Sequence, residues 1–213
     1  CIAREETEMM YRNGVAAVLV EDYFGSSSDV IRVLQMLQRD FEDQVYGVNL
    51  LGNFVGSYRA AQQYGAAFMR VDSICGHLLL IAEERYLSEV DACRAAGDVF
   101  VLGGVRFKYQ PVCSGRTLEE DLNIAKRHCD AVVVTGSGTG IETDLEKIKE
   151  FRTILGGFPL IVGAGMTAET AREQLSYSDG GIVGSYFKKD GNASFCNPME
   201  EERVKAFMRA CCA

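Results

Sequence analysis

Pro159-Leu160-Ile161-Val162 opens into Gly163-Ala164-Gly165-Met166-Thr167, and Gly181-Ile182-Val183 opens into Gly184-Ser185-Tyr186-Phe187-Lys188-Lys189-Asp190-Gly191. Each apolar run reads as a buried strand whose C-terminal end becomes a loop with few side chains and then a helix-forming segment. Backbone N–H groups in such a loop can close around an anion, because no Cβ blocks the approach and the helix dipole favours negative charge. Two such loops on consecutive strands near the C-terminus of an α/β chain match the place where (β/α)8 barrels bind phosphate. The competing reading makes the glycines no more than tight strand-to-helix turns. Gly163, Gly165, Gly184, Ser185 and the following Lys188 are therefore the candidate phosphate-binding residues.

Working back from this end, strands alternate with helices along the whole chain. Apolar runs at Val15–Val20, Val45–Leu51, Phe68–Val71, Val99–Leu102, Ala131–Val134, Leu160–Val162 and Gly181–Val183 are separated by segments with helical spacing. These helices are expected at Glu5–Asn13, Asp29–Phe41, Ser57–Tyr64, Leu87–Ala96, Leu118–Cys129, Asp144–Leu155, Ala168–Leu175 and Met199–Cys211. Short, nearly continuous apolar strands between amphipathic helices predict parallel strands buried on both faces. Seven strands are counted where a TIM barrel has eight, and the chain opens on a helix, so the fold expected is an α/β (β/α)8 TIM barrel lacking its first β-strand. One domain spanning residues 1–213, shortened at its N-terminus, is expected. An open doubly wound sheet is the alternative, disfavoured because its glycine fingerprint belongs early in the chain.

Composition narrows the function. The 213 residues are 47% hydrophobic and 24% charged, as in an ordinary globular domain. A formal net charge of −8 with no basic stretch opposes nucleic acid or an anionic membrane as partner. No apolar run reaches the ~18 residues of a membrane span. A cytoplasmic location is expected, while a chain beginning Cys1-Ile2-Ala3 leaves room for an organellar leader. Eight cysteines without paired CxxC spacing read as reduced, and two histidines do not make a His-rich metal site.

In a barrel, functional groups sit where strands end. Those positions are Glu21, Asn49, Asp72, Lys108, Thr135 and Ser137, with Thr139 in the loop beyond and Arg106 just before Lys108. Asp72 and Lys108 are the candidate pair for proton transfer if burial shifts both toward neutrality, the competing reading being a structural ion pair. Glu21 could assist or hold a divalent metal, and Asn49 could orient it. No organic cofactor is expected. Thr135, Ser137, Thr139 and Arg106 are candidate substrate contacts. Glu119-Glu120-Asp121 reads as complement to a helix dipole, and Lys147 and Lys149 as an exposed helical face.

The same motifs resemble the BtpA/SgcQ family, a group of TIM barrels in the ribulose-phosphate-binding class. The resemblance runs from Gly14-Val15 through Val20-Glu21-Asp22, Gly47-Val48-Asn49-Leu50-Leu51, Phe68-Met69-Arg70-Val71-Asp72 and Thr135-Gly136 to Gly184–Gly191, and then to Asn197-Pro198 and the last helix. It departs at Gly103-Gly104-Val105-Arg106-Phe107-Lys108, where the family typically reads Ala-Asp-Val-His-Val-Lys. An acid and an imidazole are thus replaced by Gly104 and Arg106. The resemblance implies a barrel for a small phosphorylated metabolite, a sugar or nucleoside phosphate, with isomerase or lyase chemistry open. It equally implies a non-catalytic binding or assembly factor, since the family includes a factor for photosystem I biogenesis, or a sensor linked to sugar metabolism. A homo-oligomer is compatible with either.

Overall fold

A computed structural model describes residues 2–23, 25–189 and 197–212. It opens with helix α1 (Ile2–Arg12), and seven strands follow: β1 (Val18–Glu21), β2 (Tyr46–Asn49), β3 (Phe68–Cys75), β4 (Phe100–Val105), β5 (Ala131–Val134), β6 (Leu160–Val162) and β7 (Gly180–Gly181). Between and after them lie α2 (Ser27–Asp40), α3 (Phe54–Tyr64), α4 (Leu80–Ala95), α5 (Leu118–His128), α6 (Leu145–Leu155), α7 (Ala171–Leu175) and α8 (Glu201–Cys212). The strands form one parallel sheet in sequence order, β1 through β7. Among the described residues no pairing joins β7 to β1, so the sheet stays open on the side where the counting placed a missing strand.

Local chemistry explains the boundaries. Ser26 and Asp29 form a reciprocal capping box at the start of α2, and Thr117 with Glu120 forms another at α5. Asp144 caps α6 by accepting from the N–H groups of Glu146 and Lys147. Outward-facing strand residues such as Val48, Met69, Val132 and Leu160 are fully buried under the helices. This is the two-sided burial that the continuous apolar runs predict.

Three differences from the sequence reading matter. Helix α4 begins at Leu80, seven residues before the expected start. Its first turn hides the helical period, since Leu79, Leu80 and Ile81 are exposed while Glu83 is buried. Strand β3 continues past Val71 to Cys75, with a register shift against β4 between Val71 and Cys75. Asp72 therefore sits in a bulged stretch rather than beyond a strand end. The shift depends on Gly104: a Cβ there would lie 1.8 Å from the Asp72 carbonyl oxygen. Lys147 is not on an exposed face. It donates to the Thr135 carbonyl at 2.7 Å and lies over the Phe151 ring.

Candidate functional site

Strand alternation places Arg70 and Asp72 of β3 on one face, toward the interior of the curled sheet. There they meet the ends of β1 and β2. Arg70 Nη1 donates to Glu21 Oε1 at 2.8 Å, and Asn49 Nδ2 donates to the same oxygen at 2.9 Å and to Asp72 Oδ1 at 3.3 Å. Arg70 Nη2 stands 4.0 Å from Asp72 Oδ1, beyond hydrogen-bond reach. The Arg70 guanidinium carbon lies 5.2 Å from the centre of the Phe107 ring, and the Lys108 ammonium lies 5.6 Å from it on its own account. A fully buried Thr135 fixes the backbone at Lys108 by accepting its N–H at 3.1 Å.

Burial moves both members of the expected proton-transfer pair toward neutrality. The Asp72 carboxyl is pushed above its ordinary range by desolvation, which outweighs the lowering effect of Arg70 and of the Asn49 amide, and the Glu21 charge adds to the rise. The Lys108 ammonium is pushed below its ordinary range by desolvation and by the Arg70 charge, against the opposing pull of Tyr109, Glu21 and Asp72. Glu21, Asp72, Arg70 and Lys108 all line a cavity of about 1390 Å³. It extends from this polar mouth down the open side of the sheet, past apolar residues such as Met10, Leu19 and Ile182.

The glycine loops reach the same cavity. Gly163, Gly165, Gly184, Ser185 and Lys188 all line it. Gly165 has φ +67°, and a Cβ there would meet the Ile141 backbone at 2.2 Å, so only glycine fits. Gly184 has open space in front of it, with nothing within 4 Å of a built Cβ. The Gly163 N–H is used, donating to Val134. By contrast, the N–H groups of Gly165, Gly184 and Ser185 find no acceptor among the described residues. Ser185 opens a single 3-10 turn, Ser185–Phe187. The Lys188 ammonium donates to the Asn197 carbonyl at 3.3 Å. Asp190 and Gly191 of the motif lie outside the described residues.

The loop after β5 arches over this mouth. Thr139 is held on two sides: its hydroxyl is 2.7 Å from the Tyr23 hydroxyl, and its N–H donates to the Tyr109 hydroxyl at 2.8 Å. Gly140 then packs against Ser185, whose Oγ would be 3.3 Å from a Cβ there. Of the expected substrate contacts, Thr139 lines the cavity; Thr135 sits behind Lys108, and Ser137 is exposed on the outside.

Arg106 goes elsewhere. With φ +52° its backbone turns away from the mouth, and its guanidinium meets Asp121 Oδ2 at 2.6 Å and the Arg116 carbonyl at 2.8 Å. Arg116 in turn pairs with Asp121 at 2.8 Å and with Glu83, whose carboxylate also accepts the Gly76 N–H. Asp121 and Glu83 are 0% and 2% exposed. Asp121 is thus the centre of a buried two-arginine, two-carboxylate cluster between α4 and α5 rather than a dipole complement. Burial pushes the Cys75 thiol far up and that of Cys129 up to about 12, so neither is activated as a nucleophile.

Two residues of the mouth are not among the expected site residues: Arg70 and Tyr109. Arg70 is readable in hindsight, as a charge inside the apolar run Phe68–Val71 two positions before Asp72. Tyr109 carries no such signal, because its place depends on a loop with φ +65°. Among the described residues no group of three or more His, Cys, Asp or Glu side chains is gathered to hold a metal, and Glu21 faces two donors, Arg70 and Asn49. No helix among them is long and apolar enough to cross a membrane.

Comparison with known proteins agrees with this architecture. A family model described as the BtpA family matches residues 2–212. An uncharacterised protein of Methanocaldococcus jannaschii is 28% identical over 219 residues, covering 95% of this chain and 82% of the relative. The photosystem I biogenesis protein BtpA of Synechocystis is 24% identical over 228 residues, covering 98% and 78%. Among solved structures, thiamine phosphate pyrophosphorylase from Pyrococcus furiosus aligns with a TM-score of 0.64 at 13% identity, covering 97% of this chain and 88% of that one. N-(5'-phosphoribosyl)anthranilate isomerase from the same organism aligns with a TM-score of 0.62 at 21% identity, covering 99% and 94%. At these identities the structures speak for the fold.

Proposed function

The chain belongs to the BtpA family, and from that premise we propose that its barrel mouth binds a small phosphorylated metabolite, a sugar or nucleoside phosphate. The observation that carries this reading is the set of three N–H groups without an acceptor among the described residues, at Gly165, Gly184 and Ser185, on residues that line the same cavity as Asp72 and Lys108. Such donors bind a phosphate without any titration of their own. The phosphate end anchors the ligand, and its carbon skeleton then extends toward β1–β4. There Asp72 and Lys108, both drawn toward neutrality, can give and take a proton from a carbon acid or hydroxyl. Proton transfer, isomerisation or carbon–carbon cleavage is the chemistry this pair supports. Neighbours of the same fold named for phosphorylated compounds are in keeping with the reading.

A second reading, a non-catalytic binding or assembly protein, is favoured by one observation. The family resemblance implies an acid and an imidazole where this chain has Gly104 and Arg106, and at Gly104 no Cβ fits against the Asp72 carbonyl. The two readings part in heavy water. A catalyst that draws a carbon-bound proton with Asp72 and Lys108 exchanges it for deuterium, and a binding protein does not.

The binding itself is tested by thermal shift with glycerol 3-phosphate, ribose 5-phosphate and a nucleoside monophosphate. A ligand at a hundredfold excess over its Kd adds about 2.7 kcal/mol to the stability of the native state. Gly184→Leu is the informative variant, because the open space in front of Gly184 lets the fold keep its stability while the side chain fills the anion's position. The expected result is a folded variant that shows no shift. An undiminished shift in that variant would remove the phosphate reading.

A further inference from the structure

The polar network of the mouth leaves one pair of donors unmet. Arg70 is 5% exposed, and its Nε and Nη2 have no hydrogen-bond partner among the described residues. Only Nη1 is used, by Glu21. Nε and Nη2 are not arbitrary survivors: they are the two donors along one edge of the guanidinium, with parallel N–H bonds spaced to meet two oxygens of one planar group. Leaving charged donors buried and unmet is costly, and natural sites with that feature are completed by a partner. Asp72 does not complete it, since its nearer oxygen is 4.0 Å from Nη2 and is turned to Asn49. Phe107 covers the guanidinium at 5.2 Å and excludes water from it, which strengthens any hydrogen bond formed there.

We infer that Arg70 is a carboxylate clamp and that the ligand is a phosphorylated carboxylic acid, held at its phosphate by the Gly165/Gly184/Ser185 loops and at its carboxylate by the Arg70 edge. This rests on the phosphate reading above and narrows it from phosphate esters in general to those with an acid at the other end. A hydroxyl or aldehyde offers one oxygen to this edge and leaves the second donor unmet; a carboxylate offers two in the same plane. Lys108 lies beside the same Phe107 ring and lines the same cavity.

The test uses matched probes and isothermal titration calorimetry. 3-Phosphoglycerate and glycerol 3-phosphate share the phosphate and differ in a carboxylate against a hydroxymethyl group, and glycerate has the carboxylate alone. The wild-type protein is expected to prefer 3-phosphoglycerate to glycerol 3-phosphate by about tenfold or more, as a bidentate charged pair allows. Arg70→Lys keeps the charge and the reach to Glu21 but loses the fork, so the preference should collapse while glycerol 3-phosphate binds as before. Equal affinity of the wild type for both esters overturns the clamp and leaves the phosphate reading intact. A preference that survives Arg70→Lys also overturns it. Should glycerate bind in an Arg70-dependent way while phosphate esters gain nothing and Gly184→Leu has no effect, the clamp stands and the phosphate reading falls. Absence of binding by either acid overturns the clamp, and if Arg70→Lys does not fold, the wild-type comparison alone decides.

Discussion

In the proposed function Asp72 and Lys108 are the residues that carry the chemistry, and burial of both weighs on stability. A carboxyl whose folded pKa is raised binds its proton more tightly in the native state. Its contribution to stability is fully present below the unfolded value near 3.8 and is lost as pH rises through the folded one. Above that folded value the ionised carboxylate therefore works against folding. Asp72→Asn should melt at a higher temperature than wild type at pH 7.5, with the gain shrinking toward pH 4. Lys108, whose folded pKa is depressed, contributes stability above its unfolded value near 10.5 and loses it as pH falls through the folded value. Lys108→Met should accordingly raise Tm at pH 7.5. Both variants should lose any proton exchange with the ligand. A fall in Tm for both at pH 7.5 would show that the two groups form a stabilising ion pair, the reading set against proton transfer at the outset. Such opposition between stability and activity is common at functional sites.

Helix caps and the β3–β4 contact mark the element scale, and they should respond differently to the loss or gain of a few atoms. Thr117→Ala removes one half of the α5 capping box and should cost about 1 kcal/mol in urea unfolding, without touching the mouth. Gly104→Ala adds a single methyl group where the Asp72 carbonyl stands 1.8 Å away. It must push β3 from β4 or erase the bulge, at about 3 kcal/mol, and it should weaken ligand binding as well because Asp72 and Arg70 ride on the same strand. A Gly104→Ala protein with wild-type stability would mean that the bulge is not held by this close approach.

At the scale of the whole molecule the sheet opens between β7 and β1, and the large cavity lies along that opening. Helices α1 and α8 lean across it, tied by Arg12 to Glu201 at 3.1 Å and by Asn13 to the same side chain. Met199, just before α8, donates its N–H to Glu6 of α1 at 2.9 Å. Two strand edges with unmet backbone groups invite pairing with another chain. A chain lengthened ahead of α1 by a strand-forming segment should show a higher Tm and less self-association in a concentration series by light scattering. Equal behaviour of the two forms would show that α1 and α8 already seal the opening.

The order of strands and helices, the parallel sheet and the location of the glycine loops could be read from the sequence, because apolar periodicity and turn chemistry are local properties repeated along the chain. Val132–Val134 or Leu160–Val162 can only be buried strands, and Gly165 announces its turn by having no side chain. The residues stopping the strands could be named for the same reason, and Glu21, Asp72 and Lys108 do share one cavity. What the chain order does not contain is which way a polar side chain turns when several partners compete for it. Arg106 stands two residues from Lys108, yet a left-handed backbone sends it to Asp121, outside the mouth. Arg70, hidden in an apolar run, was decided by tertiary structure alone: only the packing of β1, β2 and β3 brings Glu21 to one end of its guanidinium and leaves the other edge unmet. Burial and the geometry of hydrogen bonds are properties of several strands at once, and they exist only after the sheet has formed.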